Sequence, residues 1–334
     1  MKSRTTILFI LFTAAVAVLF AADIAVGSVS IPIRDVWAAL TGGECDPTTA
    51  RIIRDIRLMK AVVALVAGAA LAVSGLQMQT LFRNPLAGPY VLGVSSGASL
   101  GVALFILGAP MLGLTGHAWL SSLGVAGAAW IGAAATLALV AAISTRIKDI
   151  MVILILGIMI SSGVSAIVQI LQYLSAEEAL KSFVVWTMGS LGDVTATQLA
   201  LLLPAVAAGA ALGVAAIKSL NMLLLGENYA RSMGLDLRRS RSIILLSTTL
   251  LAGTVTAFCG PIGFIGLAMP HVARVIFRNA DHRTLMPAAA LTGAASLLLC
   301  DMVAKLLALP VNSITALLGI PVVVWVVVRN RNIV

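Results

Sequence analysis

Charge is what this sequence has least of. Only 10% of its 334 residues are Asp, Glu, Lys or Arg, against about 25% in a soluble domain. A water-soluble globule of this length has too much surface to cover with so few polar groups. A cytosolic enzyme, a disordered chain and a nucleic-acid binder are thereby excluded, the last despite a formal net charge of +9. Histidine is scarce (His117, His271 and His282) and cysteine equally so. Cys45 falls in a polar loop, Cys259 and Cys300 in apolar stretches, so no disulfide framework is expected. No CxxC or Cys/His cluster suggests a metal. HExxH, GxGxxG and GxxxxGK[ST] are all missing, so the chain carries no recognisable ATPase, dinucleotide or zinc-protease site of its own. No cofactor is expected to be bound by it.

What is present is apolar. Hydrophobic residues make up 60% of the chain, and the mean hydropathy is +1.07. A bilayer span needs ~20 apolar residues, so roughly ten spans use about 200 positions and leave only short connections. The expected fold is an all-α polytopic membrane protein, about ten transmembrane helices in a compact bundle, with 1–334 a single membrane domain. The first span covers Thr5–Val26. Lys2 and Arg4 precede it and Phe20-Ala21-Ala22 offers a weak cleavage context, as in a signal peptide. The apolar run is long for one and more spans follow, which favours an uncleaved helix. Later spans are placed at 61–80, 92–112, 122–143, 151–172, 199–217, 243–260, 262–277, 285–305 and 313–328. The 262–277 piece is short and contains Pro270 and His271. In the long loop 27–60, Ile33, Val36, Trp37 and Leu40 fall at i, i+3, i+4 and i+7 after Pro32. That spacing predicts a short amphipathic helix at the membrane surface.

Charge tests this topology. With both termini inside, the inner face holds Lys2, Arg4, Arg83, Arg146, Lys148, Lys218, Arg231, Arg238, Arg239, Arg241, Arg274, Arg278, Arg283, Arg329 and Arg331, 15 of 22 basic residues. Arg34, Arg51, Arg54, Arg57, Lys60, Lys181 and Lys305 fall outside. Of the acids, Asp149, Glu227, Asp236 and Asp281 lie inside and nine at or near the outer face. The Lys/Arg bias matches the positive-inside rule. It accounts for the basic balance without nucleic acid.

Several local patterns stand out. Gly93, Gly97 and Gly101 form a GxxxGxxxG ladder, and Gly209 and Gly213 a second pair; such faces let helix backbones approach in lipid. The stretch 218–242 predicts two short helices joined at a glycine, a knob whose face mixes Leu223, Leu224, Leu225, Tyr229 and Met233 with charges. Glu227 and Arg231 stand at i, i+4, a favourable helical pair, and Gly234 is placed to end that helix. The knob is either an ordinary basic loop or a docking element for a cytoplasmic partner. Arg51, Arg54, Arg57 and Lys60 recur every three residues, an outward basic stripe that an acidic partner or lipid phosphates would explain. Gly157, Ser161, Ser165 and Gln169 repeat at i, i+4, i+8 and i+12, a polar seam facing a neighbour or a water-filled path. None of these is ionisable, which argues against an ion-coupled pump. Asp301 stands four residues before Lys305, near enough to pair with it.

Four segments resemble the iron-chelate, haem and cobalamin uptake permeases, the membrane subunits of type II ATP-binding-cassette importers. They are LFRNPLAGPYVLGVSSGASLG (81–101), LGENYARSMGLDLRRSR (225–241), GPIGFIGLAMPHVARVIFRNADHR (260–283) and ITALLGIPVVVWVV (314–327). The resemblance implies ten helices per subunit and a path between two copies of the chain in the cell inner membrane. It implies two cytoplasmic ATPase subunits that use ATP and a periplasmic substrate-binding protein. The chain itself is then a transport subunit rather than an enzyme. Gly226, Glu227, Ala230, Arg231 and Gly234 match the family's ATPase-coupling motif. Arg57, Lys60 and Lys305 match its docking positions for the binding protein, two of them lysine where the family commonly has arginine. The seam at Gly157, Ser161, Ser165 and Gln169 matches the helix that lines the path. The cargo implied is a ferric siderophore, haem or cobalamin. The alternative is an ion-gradient-driven secondary transporter, for which only Asp23 and Asp301 offer a membrane acid.

Overall fold

The computed structural model describes residues 2–27, 29–108, 122–144, 147 and 150–329. His117, the end of the 92–112 span, and the charges Arg146, Lys148, Asp149 and Arg331 lie outside the described residues. The elements are helices throughout the described residues: α1 (Lys2–Ala25), α2 (Ile33–Thr41), α3 (Pro47–Leu81), α4 (Val94–Gly108), α5 (Ser122–Ser144), α6 (Ile150–Leu174), α7 (Glu177–Thr187), α8 (Ala196–Ala215), α9 (Ile217–Leu223), α10 (Glu227–Ser232), α11 (Leu237–Cys259), α12 (Ile265–Phe277), α13 (His282–Leu307) and α14 (Val311–Arg329). Six apolar stretches are long enough to cross a bilayer, in α1, α3, α6, α8, α11 and α13, and α4, α5, α12 and α14 hold shorter apolar ones. All ten coincide with expected spans.

Helix starts differ from the hydropathy reading because caps, not apolarity, set them. Asp46 accepts from the Thr49 amide at 3.0 Å and Pro47 occupies the first turn, so α3 begins well before the apolar run. Asp236 and Asp281 likewise cap α11 and α13 through the amides of Arg239 and Arg283. α3 also contains a π-helical turn, Ile52–Leu58. It disrupts the α-helical phase through the basic stripe, so the four cations do not share one face. Arg51 is exposed, Arg54 Nε donates to the Ala39 carbonyl at 2.5 Å, and Arg57 is buried. In α2, Val36 and Ala39 are buried while Ile33 and Trp37 are 78% and 69% exposed. This is a two-faced helix of the kind that lies at an interface.

The chain divides into two compact units, 1–73 with 190–203 and 263–334, and 74–189 with 204–262. In the second unit, α4 and α5 meet backbone to backbone. A β-carbon on Gly97 would strike the Gly132 carbonyl and Thr136, one on Gly132 the Gly97 carbonyl, and one on Gly101 the Ala128 carbonyl. Gly93 plays another part: it caps α4 at φ +80° and lies against Ser161. Gly209 packs on Leu250 and Leu251, and Gly213 on Gln77 and Ser247. A buried polar network fills that contact. Gln77 Nε2 donates to Ser247 Oγ at 3.0 Å, Thr248 Oγ1 donates to Gln77 Oε1 at 2.9 Å, and Ser247 Oγ donates to the Gly209 carbonyl at 2.7 Å. In lipid such bonds hold helices that the hydrophobic effect cannot.

The first unit is joined by charge. Lys305 Nζ lies 2.8 Å from Asp23 Oδ1 and 2.8 Å from Asp301 Oδ2, and Lys60 Nζ lies 3.0 Å from Asp301 Oδ1. Both carboxylates are fully buried. The expected Asp301–Lys305 pair is therefore half of a four-membered cluster of zero net charge that ties α1, α3 and α13. Alongside it, Arg57 donates to the carbonyls of Ile24, Ala25 and Val29. These include open carbonyls at the end of α1, where a cation is favoured. Gly68 of α3 and Gly293 of α13 each face the other's carbonyl with no room for a β-carbon.

Two predictions follow from these contacts. Gly132→Val should destabilise the detergent-solubilised chain by about 1–3 kcal/mol or more through overpacking. Gly127→Ala, whose β-carbon would meet nothing within 4 Å, should be neutral or stabilising by up to about 1 kcal/mol. Lys305→Met leaves two buried carboxylates sharing Lys60 and should cost about 3–5 kcal/mol. Adding Asp23→Asn restores neutrality and should recover most of that loss. Thermal unfolding of the four variants in one detergent checks both.

Candidate functional site

Two features of the second unit are candidates for function, a cavity and a knob. The cavity has a volume of about 510 Å³. One wall is α6, which supplies Ser161, Ser162, Ser165 and Gln169; the other is Tyr90, Val91 and the first turn of α4, with Ser95 and Ser96. The four-residue spacing read as a seam thus places Ser161, Ser165 and Gln169 on one wall. Gly157 is not on it. A β-carbon there would lie 2.9 Å from the Val91 carbonyl and 3.1 Å from Leu92 Cα, so Gly157 acts behind the wall, letting α6 approach the 91–92 backbone. Ser161 Oγ donates to the Gly157 carbonyl at 2.7 Å and Ser162 Oγ to that of Ile158 at 3.0 Å. Their hydroxyl protons are thereby spent within the helix and their lone pairs remain. Tyr90 Oη donates to the Ile262 carbonyl at 3.2 Å, with Thr256 Oγ1 3.3 Å away. The sequence reading missed Tyr90, Ser95 and Ser96. The adjacent serines just after Gly93 were the available signal, and the glycine ladder around them drew the attention instead.

The knob runs from α9 through α10 into α11. Gly226, at φ +104°, turns the chain between α9 and α10. Gly234, at φ +83°, ends α10, with its amide donating to the Arg231 carbonyl and the Leu235 amide to that of Ala230, both at 3.0 Å. These are backbone conformations that a side chain would strain. The second short helix expected after Gly234 is instead the opening of α11. The expected Glu227–Arg231 pair is also corrected: Glu227 pairs with Arg241 at 2.5 Å, while Arg231 is exposed. α10 is only six residues long, and the tertiary partner on α11 closes the knob, which an in-helix pair would not. Ser240 Oγ, 3.2 Å from Ser219 Oγ, ties α11 to α9. Ala230 is fully buried at the centre. The outer face carries Leu225, Tyr229 and Met233, all exposed, among Arg231, Arg238 and Arg239.

The three positions expected to dock a partner are turned inward. Arg57 is engaged by backbone carbonyls, and Lys305, 8% exposed, by two carboxylates. Lys60 is the most open of the ion cluster at 22%. A cation in a low-dielectric setting takes the nearest buried acid or carbonyl, and spacing alone does not reveal that such partners are close. Arg34, Arg51 and Arg54 are exposed cations nearby in the chain. His271 is buried in α12. Among the described residues, no group of three or more His, Cys, Asp or Glu side chains is arranged to hold a metal.

The profile of the FecCD transport family matches residues 14–329. The chain is 37% identical over 314 residues to the hemin transport system permease HmuU of Yersinia pestis, covering 91% of this chain and 90% of that one. It is 35% identical to the vitamin B12 import permease BtuC of Shigella boydii (88% and 89% covered) and 33% identical to the molybdate import permease MolB of Haemophilus influenzae (88% and 86%). A solved structure described as an inward-facing metal-chelate type ABC transporter superposes with a TM-score of 0.84 at 30% identity, covering 97% of this chain and 99% of the other. With the helical bundle, the glycine-turned knob and the matches over nearly its whole length, the chain belongs to the FecCD transport family, the multi-pass permease subunits of type II ATP-binding-cassette importers.

Proposed function

We propose that the chain carries a metal chelate from periplasm to cytoplasm across the inner membrane, with both termini cytoplasmic. The relatives named for hemin, vitamin B12 and molybdate differ in cargo, so similarity supports the class of transporter rather than one substrate. A second copy of the chain completes the path along α6, a periplasmic binding protein delivers cargo, and two separate subunits hydrolyse ATP. The knob carries this reading. Leu225, Tyr229 and Met233 are exposed, as are Arg231, Arg238 and Arg239 of the same segment, an apolar and cationic combination suited to a protein partner. Closure of the ATPase subunits on ATP would push it as a lever. Because α11 begins at the knob and continues through a π-helical turn, Thr249–Gly253, to Cys259, displacement at Arg241 is passed along a continuous helical backbone whose π turn is the one place it can bend. Gly226, Glu227, Ala230, Arg231 and Gly234 shape the lever. The Glu227–Arg241 pair sets its angle.

Docking of the binding protein is assigned to the outer end of the first unit, where Lys60 is the most accessible of the family-matched cations and Arg34 and Arg51 are exposed. Arg57 and Lys305 act there from behind, holding the ends of α1 and α13. An ion-gradient carrier has no support in this arrangement, since Asp23 and Asp301 are already neutralised by lysines.

Two measurements test this. A mild-detergent pull-down from native membrane should bring a stoichiometric subunit carrying GxxxxGK[ST]. Glu227→Arg should reduce cargo-stimulated ATP hydrolysis by that assembly to near the unstimulated rate, with folding retained. The exchange Glu227→Arg with Arg241→Glu should restore much of it. Full stimulation in the single variant overturns the coupling assignment.

A further inference from the structure

The cavity wall has one property that none of the relatives' names conveys: it has no charge at all. The seven polar or aromatic groups on it are neutral, and so are the elements that carry it. From Asn84 to Ser144 and from Ile150 to Ala176 the sequence contains no Asp, Glu, Lys or Arg. No rotamer change on α4, α5 or α6 can therefore bring a counter-ion to the cavity. A second copy that closed the path with this same wall would add no charge either.

The hydrogen-bonding capacity is divided unevenly. Ser161 and Ser162 have donated to their own helix and face the cavity as acceptors. Ser165 and Gln169 are exposed on the same wall and make no side-chain hydrogen bond among the described residues. Opposite them lie the hydroxyl-bearing Ser95 and Ser96 in the first turn of α4, a helix end with no side-chain cap. That helix end supplies about half a unit charge at most. It orients an acceptor oxygen but does not neutralise a carboxylate or an oxyanion stripped of water. Transferring an unpaired anion out of water is the dominant penalty in such a site, whereas amide and hydroxyl groups exchange water for the serines and Gln169 at little net change.

We propose that the cargo passes this wall with its charge already neutralised within the chelate, presenting amide and hydroxyl groups, rather than as a bare oxyanion or with free carboxylates. This rests on the reading of the cavity as the cargo path and narrows the class of chelate. The wall discriminates by what it lacks.

The test needs no knowledge of the natural cargo. Ser165→Cys is made in the full chain, assembled with its ATP-binding subunits and reconstituted in liposomes. It is treated with hydroxyethyl methanethiosulfonate, which is neutral, or with sulfonatoethyl methanethiosulfonate, which is anionic. The modification in excess of the wild-type chain is followed by intact mass, each rate normalised to that on a small thiol in water. The neutral reagent should lead by about tenfold or more, as expected for an uncompensated anion. Ser162→Arg in the same background should bring the anionic reagent up to within a few-fold. Ser96→Cys on the opposite wall repeats the measurement independently if Ser165→Cys does not fold. Equal rates, a faster anion, or a gap that the added arginine leaves unchanged each overturn the proposal. So does absence of labelling at both positions, because water-borne solutes then never reach the wall. Copurification of the ATP-binding subunit is scored separately, so the importer reading and the neutral-cargo reading can fail independently.

Discussion

Inside a bilayer an apolar side chain gains nothing by leaving lipid for a neighbouring helix, so helices stay together only where backbones come close or polar groups bond across. This protein uses both devices. Gly97, Gly101 and Gly132 bring α4 and α5 to backbone contact, and Gly68 with Gly293 does the same for α3 and α13. Where a glycine contact leaves space beside it, Gln77, Ser247 and Thr248 fill the gap with a closed set of hydrogen bonds. The cavity depends on the same constraint, because Gly157 lets α6 lie against the 91–92 backbone and so brings Ser161 close to Gly93.

Charge obeys a parallel economy. The first unit buries two carboxylates but balances them with Lys60 and Lys305. Removing one member leaves an uncompensated ion where water cannot help, so the cluster acts as a lock for α1, α3 and α13 more than as a source of net stability. The helices around the cavity take the opposite course and carry no ion at all. An uncharged wall is consistent with the proposal that cargo is selected by a separate binding protein and that ATP is hydrolysed on separate subunits.

The knob shows how short elements are made rigid. α9 and α10 have seven and six residues, too few for stable isolated helices. They hold because Gly226 and Gly234 supply left-handed turns, Ala230 is buried, and Glu227 and Ser219 reach forward to α11. The result is a small platform continuous with the start of α11.

Hydropathy alone located all ten apolar segments, because the ~20-residue apolar length required by the bilayer leaves few other solutions for a chain this poor in charge. Periodicity alone placed Ser161, Ser165 and Gln169 on one face of α6, and the glycine content of 226–234 predicted a turn-rich knob. Partners were another matter. Glu227 bonds Arg241 rather than Arg231, Lys60 and Lys305 turn to buried aspartates rather than outward, and Gly157 supports the cavity instead of lining it. Apart from the Asp301–Lys305 pair, which stands at i, i+4 and is legible in the sequence, these contacts depend on residues brought together from separate parts of the chain. A spacing of three or four residues defines which side chains share a helix face. Which neighbour that face meets is decided by packing, and the lower desolvation penalty of a pre-placed tertiary partner over a local one then selects the contact.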